Sequence, residues 1–204
     1  MKNEKLETED KNIKYDIIIC GVGGQGAILA SDVFGRAAVV QNYNVQAAET
    51  HGMAQRGGSV ENHVRIGATE GSLIPEKSGD ILIGLEPAEA LRYTHLLKDD
   101  GIVILNTNKV LPTTVTSGKS KYPDLDEIIN SLKTKYKVYA FNATEKAKEA
   151  GNRQAMNVVM IGASSNFVPL EEEVLKSCIK KIIPPKTVDV NMKAFEMGKK
   201  QIEN

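Results

Sequence analysis

The stretch YDIIICGVGGQGAILA, residues 15–30, combines the features that decide the fold. It begins with a run of β-branched residues, which is typical of a buried parallel strand, and it ends in an apolar segment typical of a helix. Between them, Gly21, Gly23 and Gly26 follow the spacing G-x-G-x-x-G. Such glycines allow a tight turn and a close approach of the backbone to a pyrophosphate, while N–H groups at the helix start face the anion. The stretch therefore predicts a phosphate-binding turn; a tight turn that binds nothing is the alternative.

The residues after the second predicted strand do not fit an ordinary dinucleotide site. Such a site has an acidic residue about 20 residues beyond the glycines, where it holds a ribose hydroxyl. Glu49 is the candidate, but the segment Thr50–Gly58 is too long and too rich in glycine for a simple strand-to-helix turn. This argues against an NAD-binding half. The segment instead offers hydrogen-bonding side chains and one fixed positive charge: Thr50, His51, Gln55 and Arg56.

The rest of the chain alternates strand-like and helix-like segments without a repeat or a linker. Buried strands are predicted at DILIGL and GIVILN, and the polar–apolar alternation of SVENHVRIG (residues 59–67) predicts a half-exposed strand. The pattern indicates a single Rossmann-like α/β domain, with a mostly parallel sheet and helices on both faces. The helix predicted over residues 24–40 is apolar around most of its circumference, which allows self-association of the chain.

Composition argues against nucleic-acid and membrane functions. Lys and Arg balance Asp and Glu at 26 each, so no net field favours a nucleic acid or an anionic membrane. No apolar run approaches the roughly 18–20 residues that span a bilayer. Residues 1–13 are polar and do not form a secretory signal. We therefore expect a disordered tail over 1–13, followed by a cytoplasmic domain over 14–204.

The cysteines and histidines do not form a metal-binding pattern. Cys20 and Cys178 are too few and too far apart for an iron–sulfur cluster or a structural zinc site. His51, His63 and His95 fall on different predicted elements, without ligand-like spacing. No metal site is predicted, and any redox cluster that works with this chain is expected on another polypeptide.

The predicted working edge lies at the carboxyl ends of the parallel strands, where ligands bind in sheets of this kind. The glycine turn 21–26, the segment 49–58, Glu86 and Asn106 should meet there. Glu86 precedes Pro87, which favours a helix-capping carboxylate over a catalytic one. No serine, cysteine or lysine stands in a recognisable nucleophile context. The sequence therefore predicts a binding component without catalytic residues or independent activity of its own.

Several motifs, in order along residues 14–200, closely resemble the gamma-type component of 2-oxoacid:ferredoxin oxidoreductases. They are GVGGQG, ETHGMAQRGGSV, HVRIG, LIPEKSGDILIGLEPAEALRY, VILNT and PPKTVDVNMKAFEMG. The resemblance implies a Rossmann-like subunit that docks on a large alpha subunit carrying thiamine diphosphate, magnesium and iron–sulfur clusters. That complex decarboxylates an arylpyruvate, such as indolepyruvate, to an aryl-acetyl-CoA and passes the electrons to ferredoxin. On the matching motifs, the positions expected to face the partner or the CoA are Gly21, Gly23, Gly24, Gln25, Gly26, Glu49, Thr50, His51 and Arg56.

Three hypotheses follow. In the first, the chain completes an active-site crevice beside the partner's cofactor, and backbone N–H groups together with Arg56 neutralise the pyrophosphate of CoA. In the second, it is a structural or assembly subunit whose glycine turn packs against the partner and binds no ligand. In the third, it is a free-standing NAD(P)-binding protein, although the poor context of the ribose-binding acid and the missing second domain count against this.

Overall fold

A six-stranded sheet with helices on both faces forms the protein in a computed structural model, which describes residues 13–50, 58–68 and 70–202. The predicted tail lies outside the described residues except for Ile13. The strands are β1 (Tyr15–Val22), β2 (Val45–Thr50), β3 (Ser59–Ile66), β4 (Gly79–Gly84), β5 (Leu97–Asn106) and β6 (Lys137–Phe141). The α-helices are α1 (Ala27–Val40), α2 (Pro87–Arg92), α3 (Thr113–Thr116), α4 (Leu125–Lys133), α5 (Ala143–Ala150), α6 (Met156–Ser164), α7 (Glu172–Ile182) and α8 (Val188–Lys200).

The strand order is β2-β3-β1-β4-β5-β6. β1, β4, β5 and β6 pair in parallel, whereas β3 is antiparallel to both of its neighbours, β1 and β2. The predicted mostly parallel sheet is therefore confirmed. One consequence matters for the site: β3 separates β2 from β1, so the end of β2 is two strands away from the glycine turn.

The two faces of the sheet carry separate cores. Alternate side chains of a strand point to opposite faces. Accordingly, Ile17 and Ile19 belong to the larger core with α1, α5, α6, α7 and α8, while Ile18 and Cys20 belong to the smaller core with α2 and α4. All four side chains are fully buried. The prediction of helices on both faces is confirmed.

The closest helix crossing joins α6 to α8 through two glycines. A Cβ added to Gly162 would overlap the backbone carbonyl of Phe195, and one added to Gly198 would overlap the carbonyl of Val159. The backbones of the two helices therefore touch, with no side chain between them. Every residue of α6 is buried, as expected for a helix enclosed by neighbours on all sides.

The prediction that β3 is half exposed is wrong. Its last five residues are all buried, including His63 and Arg65, which the alternation placed on a solvent face. The segment after β3 turns back and covers that face, so its polar side chains find partners within the protein. His63 Nδ1 accepts a hydrogen bond from the N–H of Ile74 at 2.9 Å. On the other face, Asn62 donates to Ser31 of α1 at 2.9 Å.

Arg65 fixes the covering segment in place. Its guanidinium is held by both carboxylate oxygens of the buried Asp16, with Nε–Oδ1 at 2.9 Å and Nη2–Oδ2 at 3.2 Å. Nη1 also donates to the carbonyl oxygens of Glu70, Gly71 and Leu73. The side chain thus satisfies a buried carboxylate and three loop carbonyls at once, and this explains how β3 can be buried on both faces.

We predict that Arg65→Met lowers the free energy of unfolding by about 3–5 kcal/mol, because it leaves the Asp16 carboxylate buried without a counter-charge. Chemical denaturation measures the loss. Lys148→Met is the matched control, because the ion pair of Lys148 with Glu145 is exposed and should contribute only about 0–1 kcal/mol. Equal losses in the two variants would contradict the structural role given to Arg65.

Candidate functional site

The glycine turn connects β1 to α1 through two residues in left-handed conformations. Gly24 has φ 98° and Gly26 has φ 83°, so α1 begins at Ala27 and not at Gly24 as predicted. β1 extends as far as Val22 and therefore includes Gly21. A Cβ at Gly21 would lie 2.7 Å from Gln25 Oε1, and one at Gly26 would overlap the Asn157 side chain. Sterics as well as backbone conformation therefore require glycine here.

Gln25 folds back over the turn and uses part of its hydrogen-bonding capacity. Its Oε1 accepts from the N–H of Val22 at 2.7 Å, and its Nε2 donates to the carbonyl of Leu85 at 3.1 Å. The N–H of Gln25 donates to the carbonyl of Val22, and the N–H of Gly23 donates to the carbonyl of Gly58 at 2.8 Å. A phosphate at this turn would therefore be bound by the N–H groups of Gly24, Gly26 and the first turn of α1.

Asn106 ties the ends of three parallel strands together. Its Nδ2 donates to the same Leu85 carbonyl at 2.9 Å, and its Oδ1 accepts from the N–H of Ala143 at 3.1 Å. The N–H of Leu85 in turn donates to the carbonyl of Cys20 at 2.8 Å. The glycine turn, Gly58, the end of β4 and the end of β5 thus meet at one edge, as predicted.

A cleft of about 380 Å³ opens beside the glycine turn. We call it the loop cleft. Among the described residues that line it, Arg153 is the one charged side chain, and it is exposed. The lining residues come from the turn, the segment after β5, the start of α5, the short 3-10 turn before α6 and the start of α6: Gly24, Gln25, Gly26, Asn108, Val110, Thr144, Arg153, Gln154 and Met156.

Arg153 was not identified from the sequence. It lies in the 3-10 turn Arg153–Ala155, where the Asn152 side chain accepts a hydrogen bond from the N–H of Gln154 at 2.9 Å. Gly151 precedes this turn with φ 120° and ends α5. No local sequence pattern relates Arg153 to glycines more than 100 residues earlier.

A second cleft, of about 610 Å³, lies on the other side of residue 110 and contains two buried carboxylates together with Arg92 and Lys121. We call it the acidic cleft. Glu86 is 1% exposed and caps α2, because its carboxylate accepts from the N–H of Glu89 at 3.0 Å and from the Tyr122 hydroxyl. The Ser59 hydroxyl donates to Glu89, which is also buried. The interpretation of Glu86 as a helix cap is confirmed.

Burial changes the pKa of two groups at or beside the acidic cleft, Tyr122 and Cys20. It raises the pKa of the Tyr122 hydroxyl, and the hydrogen bond to Glu86 acts in the same direction. Cys20 is fully buried next to this cluster; burial, reinforced by the nearby glutamates, raises the pKa of its thiol well above the ordinary value. A thiol kept protonated and away from solvent is a poor nucleophile and a poor metal ligand.

The structure does not place every predicted site residue of the segment that begins at Glu49 at the glycine turn. Glu49 pairs with Asn62 of β3, and Asn62 pairs with Ile19 of β1, so Glu49 lies two strands from the glycine turn. It borders a groove along α1 and does not line the loop cleft. Thr50 ends β2, while His51 and Arg56 lie outside the described residues. The roles assigned to these four positions remain predictions.

The described parts of the chain contain neither a metal-binding cluster nor a membrane-spanning helix. No three His, Cys, Asp or Glu side chains within residues 13–50, 58–68 and 70–202 lie close enough together to hold a metal ion. No helix in the same ranges is both long enough and apolar enough to cross a bilayer.

The family described as Pyruvate ferredoxin/flavodoxin oxidoreductase matches residues 16–201. The chain is 48% identical over 192 residues to a protein of Archaeoglobus fulgidus called Indolepyruvate oxidoreductase subunit IorB, covering 93% of this chain and 96% of that protein. Proteins with the same name from three other organisms are 42–45% identical. Two called 2-oxoglutarate synthase subunit KorC are 29–30% identical. The chain therefore belongs to the pyruvate ferredoxin/flavodoxin oxidoreductase family. This agrees with the resemblance seen in its sequence motifs.

Solved structures have the same fold. The gamma subunit of a keto/oxoacid ferredoxin oxidoreductase from Geobacter sulfurreducens superposes with a TM-score of 0.70 at 24% identity, covering 93% of this chain and 98% of that chain. The 2-oxoglutarate:ferredoxin oxidoreductase from Magnetococcus marinus, with 2-oxoglutarate, coenzyme A and succinyl-CoA bound, gives a TM-score of 0.71 at 19% identity. That match covers 93% of this chain and 31% of the longer one.

We predict that Gly26→Ala destabilises the protein more than Gly24→Ala. Both residues have left-handed backbones, which costs alanine about 1–2 kcal/mol. A Cβ at Gly24 meets nothing within 4 Å, whereas one at Gly26 overlaps Asn157. Thermal unfolding should therefore show an additional loss for Gly26→Ala, and Asn157→Ala in the same chain should recover part of it. Equal losses for the two alanine variants would show that Asn157 does not pack against the turn.

Proposed function

We propose that this chain is the small, thiamine-free subunit of an oxidoreductase complex that acts on indolepyruvate and related arylpyruvates. The observation that carries the proposal is the pattern of identity. It is 42–48%, over nearly the full length, to subunits called Indolepyruvate oxidoreductase subunit IorB, against 29–30% to subunits of 2-oxoglutarate synthase. Identity of this order separates the arylpyruvate-type subunits from relatives that act on another 2-oxo acid.

In the proposed reaction the arylpyruvate loses carbon dioxide, the remaining aryl-acetyl group is transferred to the thiol of CoA, and two electrons pass to ferredoxin. The partner is a large subunit in the cytoplasm that carries thiamine diphosphate, magnesium and iron–sulfur clusters, and ferredoxin docks through that partner. Thiamine diphosphate, when bound there, supplies the chemistry of carbon–carbon bond cleavage. The present chain contributes binding groups, because Cys20 and Cys178 are buried and lie on separate elements.

The loop cleft suits the phosphates of CoA. The N–H groups of Gly24, Gly26 and the first turn of α1 lie at the positive end of a 14-residue helix, where anions bind favourably. Arg153 adds a guanidinium that can bind phosphate oxygens in a bidentate manner. Thr144 and Asn108 add polar side chains to the wall. These groups can hold the CoA phosphates and so position its thiol for the reaction on the partner.

The two alternatives find less support in this geometry. For NAD(P) binding, the acid that holds the ribose should follow a strand adjacent to β1; here β3 occupies that place, and Glu49 lies beyond it. One observation favours a purely structural subunit: Gln25 and Gly58 already accept hydrogen bonds from backbone N–H groups of the turn. Measuring the CoA kinetics of variants distinguishes that alternative from CoA binding.

We predict that Arg153→Gln raises the KM for CoA at least about tenfold in the reconstituted complex, because one charge-assisted interaction with a phosphate is worth roughly 1.5–3 kcal/mol. The kcat and the KM for indolepyruvate should stay unchanged, since indolepyruvate reacts on the partner. Arg153→Lys should retain part of the affinity. Arg92→Gln, at the acidic cleft on the same edge, is the matched control. Unchanged CoA kinetics in Arg153→Gln would favour the structural alternative, and an effect confined to Arg92→Gln would move the CoA to the other cleft.

We also predict that the activity requires the complex. The isolated chain should show no indolepyruvate-dependent reduction of ferredoxin, and addition of the large subunit should produce it. Co-purification from the native source should yield a larger chain containing thiamine and iron–sulfur clusters. Turnover by the isolated chain, or a co-purified complex that prefers 2-oxoglutarate to every arylpyruvate, would contradict the proposed function.

A further inference from the structure

The chain between β5 and α4 makes a long excursion along the edge of the sheet that carries the two clefts. We call residues 107–123 the strap. All of them are described, and none is buried, including the four residues of α3. The outgoing limb of the strap carries Asn108 and Val110, and its returning limb ends at Tyr122 and Pro123. A segment without a buried side chain gains little from the hydrophobic effect, so its position depends on a few hydrogen bonds.

Glu86 attaches both limbs of the strap with one carboxylate oxygen. Its Oε1 accepts a hydrogen bond from the N–H of Val110 at 3.3 Å and another from the hydroxyl of Tyr122. The Tyr122 hydroxyl also accepts from the N–H of Ala88 at 3.2 Å. Beyond Asn108, every hydrogen bond that joins the strap to another described part of the chain ends on Glu86 or Ala88. The strap is therefore attached at one point, beside the start of α2.

The capping of α2 does not account for this arrangement. Capping uses only Oε2 of Glu86, which accepts from the N–H of Glu89 at 3.0 Å. A shorter aspartate, asparagine or serine side chain would cap the helix as well. The Glu86 side chain is 1% exposed, and its second oxygen binds the strap and not solvent. Only a carboxylate can serve both sides, because a carboxamide has its acceptor sites on one oxygen alone.

Tyr122 is suited to hold the returning limb. Burial, reinforced by the hydrogen bond to Glu86, raises the pKa of its hydroxyl, so the hydroxyl stays protonated and donates to the carboxylate. Its ring packs against the smaller core. The ammonium group of Lys109, on the outgoing limb, lies 5.5 Å from the centroid of the same ring, where a cation is attracted to the ring face. The two limbs are thus also joined to each other beside Glu86.

The attachment matters because the strap forms one wall of the loop cleft. Asn106 fixes the start of that wall, since its Oδ1 accepts from the N–H of Asn108 at 3.3 Å. Two residues further along, Val110 lines the same cleft, and its N–H is bound to Glu86. The position of this wall relative to the glycine turn and Arg153 therefore depends on the carboxylate of Glu86.

We propose that Glu86 is a positioning residue for CoA, which holds the strap through Val110 and Tyr122 in the conformation that binds the ligand. The inference rests on the proposed function, in which the loop cleft binds CoA. Glu86 is not among the described residues that line that cleft, so it acts through the strap. A site whose binding conformation is only partly populated binds its ligand more weakly, in proportion to that population. Loosening the strap should therefore weaken CoA binding and leave the chemical steps unchanged.

Tyr122→Phe tests the proposal in the reconstituted complex, because it keeps the ring and the cap of α2 and removes only the hydroxyl. The loss of a hydrogen bond to a carboxylate should make detachment of the strap roughly tenfold more frequent. Hydrogen exchange measured by mass spectrometry should accelerate by about that factor in peptides that cover residues 107–123. The KM for CoA should rise at least about threefold, with kcat and the KM for indolepyruvate unchanged.

Two further measurements connect the strap with Glu86 and with CoA. Glu86→Gln should accelerate exchange in the strap as well, and Tyr122→Phe should add less in that background than it does alone, because the two side chains act through one contact. Saturating CoA should slow exchange of residues 107–123 in the unmodified complex, since a ligand that needs the attached strap must also stabilise it.

Tyr136→Phe is the matched control. The Tyr136 hydroxyl donates to the carbonyl of Thr94 at 3.1 Å, near the amino ends of β5 and β6 and at the opposite edge of the sheet. Its removal should change neither exchange in the strap nor the kinetics with CoA. Melting curves followed by circular dichroism should show that every variant is folded.

The outcomes separate this proposal from the proposed function. Unchanged exchange in the strap of Tyr122→Phe would overturn the attachment. Faster exchange with an unchanged KM for CoA would overturn the positioning role; a raised KM in Arg153→Gln would then leave the CoA site standing without it. If neither Tyr122→Phe nor Arg153→Gln changes the KM for CoA, both the positioning role and the assignment of CoA to the loop cleft are wrong.

Discussion

The backbone carbonyl of Leu85 is the point on which the arrangement of the site depends. A carbonyl oxygen can accept two hydrogen bonds, and this one accepts from the carboxamides of Gln25 at 3.1 Å and Asn106 at 2.9 Å. Through them it connects the turn after β1 with the end of β5, while its own N–H binds the carbonyl of Cys20. The remaining oxygens of the two carboxamides accept from Val22 and Ala143, which fixes the glycine turn and the start of α5. A carboxylate at either position could not replace the amide, because it cannot donate.

The same edge of the sheet carries two clefts that differ in charge. The loop cleft combines N–H groups at the start of α1 with Arg153, and the acidic cleft contains the buried carboxylates of Glu86 and Glu89. Because Val110 borders both, the segment after β5 separates the two environments. Arg153, the one charged side chain among the described lining residues of the loop cleft, is basic, which agrees with the anionic ligand proposed for that cleft. This arrangement also agrees with a subunit that binds and positions one reactant while the partner performs the bond-breaking steps.

The features of the fold and the site that could be predicted are those determined by residues close together in the sequence. The strand, turn and helix over residues 15–40 follow from the spacing of glycines and apolar residues, and the capping role of Glu86 follows from the proline after it. The burial of β3 could not be predicted, because the partner of Arg65 is Asp16, 49 residues away, and its cover is a turned-back segment. The position of β3 between β1 and β2 has no local signal either. Arg153 was missed for the same reason: only the tertiary fold brings it to the glycines.

The contact between α6 and α8 has a mechanical consequence. Gly162 and Gly198 bring the two backbones together without side chains that could repack, so the helices can move only as one rigid body. Asn157, near the start of α6, donates to the carbonyl of Gly26 at 3.3 Å and couples the glycine turn to that body. One wall of the loop cleft is therefore fixed to this pair of helices. We expect any change in the width of the entrance to come from the opposite wall, around Asn108 and Val110.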